Sequence, residues 1–129
     1  MVRMGLVSWL LEALREAVEA EGMFIVTEAG PTEAAANRGV VIPGNRVIGV
    51  FRNDYAVEIL RLSVPARVEA PIRFYVTENE DGSATLSWKT SSHVLAPYLE
   101  EGGDALAEIG HELDAVFDAI AHRAVERID

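Results

Sequence analysis

Cysteine is absent from this 129-residue sequence. Its absence excludes disulfide bonds, thiolate nucleophiles and zinc or iron–sulfur sites built on cysteine. Long hydrophobic runs are also missing. The apolar run 5–11 ends at Glu12, whereas a membrane-spanning helix needs about 20 apolar residues, and the run lacks the cleavage site of a secretory signal. We therefore expect a cytoplasmic protein with no membrane partner.

Basic residues are few. The chain has 11 Lys and Arg against 21 Asp and Glu, which gives a formal net charge of −10. A nucleic-acid-binding surface needs clustered positive charge to displace phosphate counterions, and the arginines between Arg46 and Arg73 are spread along the chain. The composition therefore argues against a nucleic-acid partner, and the acidity favours solubility.

Hydrophobic residues make up half of the sequence, which is enough for a core without metal or disulfide support. The length is that of one ordinary domain, so we predict a single domain over residues 1–129. Apolar residues at helical spacing predict a first helix over 5–21 and a longest helix over 105–127. The buried stripe of the longest helix is predicted to be Leu106, Ile109, Leu113, Val116, Phe117, Ile120 and Ala124.

Four segments predict strands: 23–27, 46–52, 72–77 and 84–89. The first is apolar on both faces, which favours a position in the interior of a sheet. The last two flank the turn Asn79-Glu80-Asp81-Gly82 and predict a hairpin. Alternating apolar and polar residues in the last strand predict one covered sheet face and one that faces solvent.

Shorter helices are predicted after Pro31, over 55–62 and over 93–96. We expect Asn53 or Asp54 to cap the second of these and Ser91 or Ser92 to cap the third, because short polar side chains accept the free N–H groups of a first turn. Helices interspersed with a mainly antiparallel sheet indicate an α+β fold, in which the sheet packs against helices and the chain ends in a long C-terminal helix.

The stretch from Asn45 to Trp88 combines several short motifs in a fixed order. These are the apolar strand Val47 to Phe51, the loop Arg52-Asn53-Asp54 before a helix, Ala70-Pro71 before a strand, the acidic turn Glu80-Asp81-Gly82, and Leu86-Ser87-Trp88. In this order the chain resembles domain-of-unknown-function family 302, over about residues 6–128. The resemblance implies a bacterial protein with a TATA-box-binding-protein-like α+β fold and small homo-oligomers, usually dimers. It implies no established reaction, cofactor or catalytic residue.

The loop Arg52-Asn53-Asp54 is a candidate ligand site because it leads from a strand into a helix start. Backbone N–H groups at such a point, helped by Arg52, suit an anion, although simple helix capping explains the same residues. Arg52 and Asp54 replace the glycine and proline usual in the family. His93 is a further candidate, and its neighbours Ser91 and Ser92 lack the motif of a serine nucleophile.

The last helix carries His111, Asp114, Asp118 and His122 within a sector of about 80°. Imidazole and carboxylate groups so spaced suit zinc, iron or manganese, but a solvated outer helix face, opposite the apolar stripe, is the simpler explanation. Trp9 lies on the polar side of the first helix, as expected either at a protein interface or against the N-terminal residues.

The residues leave the cofactor unknown, and no convincing nucleophile, phosphate loop or closed metal set is evident. We therefore predict a non-catalytic homodimer that binds a small molecule or regulates a partner, with Arg52, Asn53, Asp54 and His93 as candidate contacts. The alternative is a metal- or haem-binding protein that uses His111 and His122, or His93. An enzyme of unknown reaction and a purely structural interaction module remain open.

Overall fold

The computed structural model describes residues 2–128, with side chains for residues 6–126. The strands are β1 (Phe24–Ala29), β2 (Asn45–Phe51), β3 (Ile72–Glu78) and β4 (Ala84–Trp88). The helices are α1 (Val2–Ala20), α2 (Thr32–Asn37), α3 (Asn53–Leu62), α4 (Ser91–Leu95) and α5 (Leu99–Ile128). A short 3-10 helix, Pro65–Glu69, precedes β3, and a second, Ala96–Tyr98, precedes α5.

The four strands form one antiparallel sheet in the order β1-β2-β3-β4. β3 and β4 make the predicted hairpin, in which Phe74 lies opposite Trp88. The Asn79 N–H donates to the Ser83 carbonyl oxygen at 2.8 Å and closes the turn. Gly82 within the turn has φ of 86°, a conformation that glycine adopts without steric cost.

The predicted position of the first strand was wrong. β1 lies at an edge of the sheet, and its side chains Phe24 and Val26 are 63% and 53% exposed. A strand can be apolar on both faces either because it lies in the interior of a sheet or because it lies at an edge with an exposed apolar surface. The sequence pattern did not distinguish the interior position from the edge position.

The core lies on one face of the sheet, beneath α1 and α5. α1 packs against the strands and α5 packs against α1. Phe117 of α5 reaches the sheet and stacks on Phe74, with ring centroids 5.1 Å apart, while Trp88 lies 5.5 Å from the same ring. Buried apolar area of this kind is the main stabilising contribution in such a domain. The architecture confirms the predicted α+β class.

The long C-terminal helix buries the predicted stripe, of which Val116 alone is only half-buried. Its regular part follows Gly103, where φ is 67° and ψ is −161°, so the helical path is interrupted after the first turn. Among the described residues, no helix is both long and apolar enough to cross a membrane.

Two predicted helix caps were also wrong. α3 begins at Asn53, after the extended residue Arg52, and no side chain caps it. In α4 the hydroxyl oxygen of Thr90 accepts the His93 N–H at 3.3 Å. Both helices begin earlier than their apolar pattern indicates, which moves the capping position to the preceding residue.

A polar cluster joins α1 to the edge of the sheet. The Glu28 carboxylate accepts hydrogen bonds from Arg15 of α1 and from Arg46 of β2, the latter at 2.8 Å. Partial burial of Glu28 raises its pKa, but the two guanidinium groups together outweigh that effect and leave the pKa below its usual value. The cluster fixes the first helix across β1 and β2.

Candidate functional site

The face of the sheet opposite α1 and α5 is open. Side chains of β3 alternate, so that Ile72, Phe74 and Val76 are buried while Arg73 and Tyr75 are exposed. Ser87 of β4 lies opposite Tyr75 and is exposed with it. This arrangement matches the expected division of the sheet into one covered face and one facing solvent.

A groove of about 540 Å³ lies on this open face. Its volume is within the range of about 300–1,000 Å³ usual for small-molecule sites. The groove takes its lining from β2, β3 and β4, from the 3-10 helix before β3, from α4 and from Lys89. The lining residues are Asn45, Val47, Glu69, Ile72, Arg73, Tyr75, Ser87, Trp88, Lys89 and Val94.

Hydrogen bonds hold two of the polar groups that line the groove. The Asn45 amide donates to the Tyr75 hydroxyl oxygen at 2.5 Å, which orients the tyrosine. The Tyr98 hydroxyl donates to Glu69 Oε2 at 2.6 Å. This hydrogen bond to Glu69 raises the pKa of Tyr98, because it favours the protonated phenol. Glu69 is therefore already engaged by a neighbouring side chain.

Pro71 lines a second, smaller cleft. Pro71 lies against Gly49 of β2, where an added Cβ would meet Thr27 Oγ1 at 2.1 Å and Pro71 Cγ at 2.9 Å. Only glycine fits beneath this contact without displacing a neighbour. This smaller cleft has a volume of about 260 Å³ and is lined by Phe24, Val26, Phe51, Arg52, Asn53, Ala56, Arg67 and Pro71.

The three residues of the predicted Arg52-Asn53-Asp54 site do not line one pocket together. Arg52 and Asn53 line the smaller cleft, but the Arg52 guanidinium binds both oxygens of Asp54, at 2.7 Å and 3.1 Å. That hydrogen bond lowers the pKa of Asp54 and raises the pKa of Arg52. Arg52 also lies 4.8 Å from the centre of the Tyr55 ring. Its charge is thus already neutralised within the loop.

His93 is exposed on α4 and lines neither groove, so it is not brought together with Arg52, Asn53 and Asp54. The neighbouring serines have other environments. Ser91 is buried, and its hydroxyl has no hydrogen-bond partner among the described atoms. Ser92 donates its N–H to Asp114 Oδ1 at 3.0 Å and its hydroxyl to the other carboxylate oxygen.

The four candidate metal ligands of α5 do not converge on one point. Asp114 is half-buried and holds Ser92 at the start of α4, whereas His111 is exposed. The Asp118 carbonyl oxygen lies 2.9 Å from His122 Nδ1, and its carboxylate lies 3.4 Å away. Within the part of the chain that the structure describes, no three histidine or acidic side chains form a group able to hold a metal ion.

Sequence reasoning missed the groove residues Arg73, Tyr75 and Lys89. The polar face of the hairpin was evident, but the pairing register that brings residues of β2, β3 and β4 side by side was not. The one sequence signal for these residues was the alternation of apolar and polar residues along the hairpin, which places the polar residues on one exposed face.

Comparison with solved structures gives a fold match at low sequence identity. The structure titled "uncharacterized conserved protein DUF302 from Bacillus stearothermophilus" aligns with a TM-score of 0.77 and 17% identity, covering 89% of this chain and 88% of that one. No curated protein matches the chain. The model of the family described as "Domain of unknown function DUF302" matches residues 7–120. This match spans most of the sequence, and the chain belongs to the DUF302 family.

Proposed function

We propose that this protein is a non-catalytic, homodimeric module that binds a small molecule. The observation that carries the proposal is the groove of about 540 Å³ on the open face of the sheet. It combines apolar surface from Val47, Trp88 and Val94 with a few polar groups, a combination typical of small-molecule sites.

The lining of the groove favours binding over catalysis. None of its described residues is a histidine or cysteine, the usual general base or activated nucleophile. Its carboxylate, Glu69, accepts a hydrogen bond from Tyr98. Its hydroxyl groups belong to Ser87 and Tyr75, and the latter is held by Asn45. These groups suit recognition through hydrogen bonds and apolar contact.

The homodimer part of the proposal is supported by exposed apolar side chains on an edge strand. Phe24 and Val26 of β1 are more than half exposed and line the smaller cleft. An edge strand with apolar side chains is a common site of pairing with another chain. Trp9 of α1 is 59% exposed, and an exposed tryptophan is enriched at protein interfaces.

Ligand binding is tested by screening a library of small fragments with ligand-observed NMR. The Ser87→Trp variant fills the groove, and Thr85→Trp is the matched control because Thr85 is exposed two residues earlier on the same strand and does not line it. We expect fragments that bind the wild type and Thr85→Trp to lose binding to Ser87→Trp. Equal binding to all three proteins, or no binding at all, contradicts the proposal.

The homodimer is tested by native mass spectrometry and light scattering. The Val26→Lys variant places a charge on the apolar surface of β1, and Val41→Lys is the control because Val41 is 92% exposed and lines neither groove. We expect a dimer for the wild type and for Val41→Lys, and dissociation for Val26→Lys. A monomeric wild type rejects this part of the proposal.

A further inference from the structure

The chemical class of the ligand follows from two cations in the groove, and this inference rests on the proposed ligand-binding function. Tyr75 pairs with Ser87 and Phe74 with Trp88. Arg73 precedes Phe74 and Lys89 follows Trp88, so the two cations lie at the same end of the paired strands. Both side chains are exposed, and both residues line the groove. Like charges that share one groove repel each other, and an anion between them would offset that repulsion.

Neither cation is neutralised within the described part of the chain. Arg15, Arg46, Arg52 and Arg123 pair with carboxylates, whereas Arg73 and Lys89 have no described carboxylate oxygen within 4.0 Å. Arg38, Arg61 and Arg67 have none either, but of these cations only Arg73 and Lys89 share the larger groove. The chain carries 21 acidic residues and has a net charge of −10, so unpaired cations placed together are unexpected. Lys89 is moreover the only lysine of the sequence.

Apolar surface lies next to the two cations. Val47, Tyr75 and Trp88 line the same groove, and Tyr75 is held in place by Asn45. One carboxylate, Glu69, offsets one of the two positive charges, so the charges among the lining residues sum to +1. A singly charged carboxylate complements that sum better than a phosphate monoester, which carries about −1.5 to −2 at neutral pH.

The geometry points to a small organic carboxylate with an apolar or aromatic body as the ligand class of this groove. The carboxylate accepts hydrogen bonds from Arg73 and Lys89 and removes the repulsion between them. The body lies against the apolar lining and displaces water from it. Guanidinium and ammonium groups thus provide the charge selectivity, and the aromatic and aliphatic side chains provide contact area.

The test compares two probes of equal shape, 2-naphthoate and its neutral amide, 2-naphthamide. Binding is followed on uniformly ¹³C,¹⁵N-labelled protein by NMR. Because the sequence has one lysine, the Lys89 ε-methylene gives a unique carbon–proton signal that reports on the groove directly. We expect the carboxylate to shift this signal and the amides of Arg73 and Ser87, with an affinity about tenfold higher than that of the amide.

Charge-removing variants give the second arm. Arg73→Gln and Lys89→Gln should each bring the affinity for 2-naphthoate down to that for 2-naphthamide, while the affinity for 2-naphthamide stays unchanged. Both positions are exposed, so the fold should tolerate the change. Arg61→Gln is the matched control, because Arg61 is an exposed arginine of α3 that lines neither groove.

The outcomes separate this inference from the proposed function. Equal affinity for the two probes, or an unchanged affinity for 2-naphthoate in both glutamine variants, overturns the inferred charge selectivity and leaves the groove as a site for neutral ligands. Absence of groove shifts with either probe also overturns it. The proposed function itself is then judged by the fragment screen on Ser87→Trp and Thr85→Trp.

Discussion

Asp114 gives the sharpest prediction, because its carboxylate joins α5 to the start of α4. It accepts the Ser92 N–H at 3.0 Å and the Ser92 hydroxyl. Gly110 allows this close approach, since an added Cβ there would lie 3.1 Å from the Ser92 Cα. α4 carries Val94, which lines the groove. Asp114 therefore helps to position one wall of the proposed ligand site.

The expected cost of Asp114→Ala is about 2–3 kcal/mol in the free energy of unfolding. A hydrogen bond to a charged group contributes about 1.5–3 kcal/mol and a helix cap about 0.5–2 kcal/mol. Asp114 and Ser92 are only half-buried, so the two bonds together lie near the lower end of the summed range. Ser92→Ala removes the hydroxyl bond but keeps the N–H bond, and should cost about 1 kcal/mol.

Urea unfolding followed by tryptophan fluorescence measures these values, with Glu112→Ala as an exposed control on the same helix. The double variant of Asp114 and Ser92 should be about as stable as Asp114→Ala alone, because the hydroxyl bond is already lost. A loss below about 0.5 kcal/mol for Asp114→Ala, or additive losses in the double variant, would show that this contact does not hold α4.

Three further predictions concern the sheet and the outer face of α5. Gly49→Ala should lose about 1–3 kcal/mol of stability because its Cβ overlaps its neighbours, whereas Gly44→Ala, with 3.5 Å contacts, should lose less in the same urea experiment; equal losses contradict the steric argument. The pKa of His122 should lie above 6.5, because the protonated ring donates to the Asp118 carbonyl oxygen and is attracted by its carboxylate. Its contribution to stability is therefore present below the unfolded pKa and disappears as pH rises through the folded one. In an NMR titration, Asp118→Asn should lower this pKa only in part, and a wild-type value at or below 6.5 refutes the assignment. Lys89→Gln should change the free energy of unfolding by less than about 0.5 kcal/mol, because Lys89 is exposed and lies outside β4; a larger loss would indicate a structural role for Lys89.

Periodicity was sufficient to predict much of the fold. The buried stripe of α5 follows from apolar residues at helical spacing, and the hairpin follows from two alternating strands around Asn79 and Gly82. These patterns are local. They predict the fold correctly here because the residues that the helix or strand repeat places on one face are the residues that the folded protein buries. The family model and the solved DUF302 structure confirm the family resemblance and the α+β class.

The position of β1 and the composition of the groove depend on contacts that no local pattern encodes. Phe24 and Val26 are compatible with an interior strand and with an apolar edge. Arg73 and Lys89 are separated in sequence and line one groove only because β3 and β4 pair as a hairpin. Asp114 and His122 share a helix face. In the folded protein, however, Asp114 accepts a hydrogen bond from Ser92, whereas His122 is exposed.

Mapping of bound fragments onto backbone amides shows whether the open face of the sheet is the ligand site. ¹⁵N-labelled protein is titrated with the fragments that bind in the screen, and shifted amides are assigned to residues. We predict that the shifts cluster at Asn45, Arg73, Tyr75, Ser87 and Lys89. A cluster around Arg52 and Phe24 in the smaller cleft, or shifts scattered over the surface, would contradict the account.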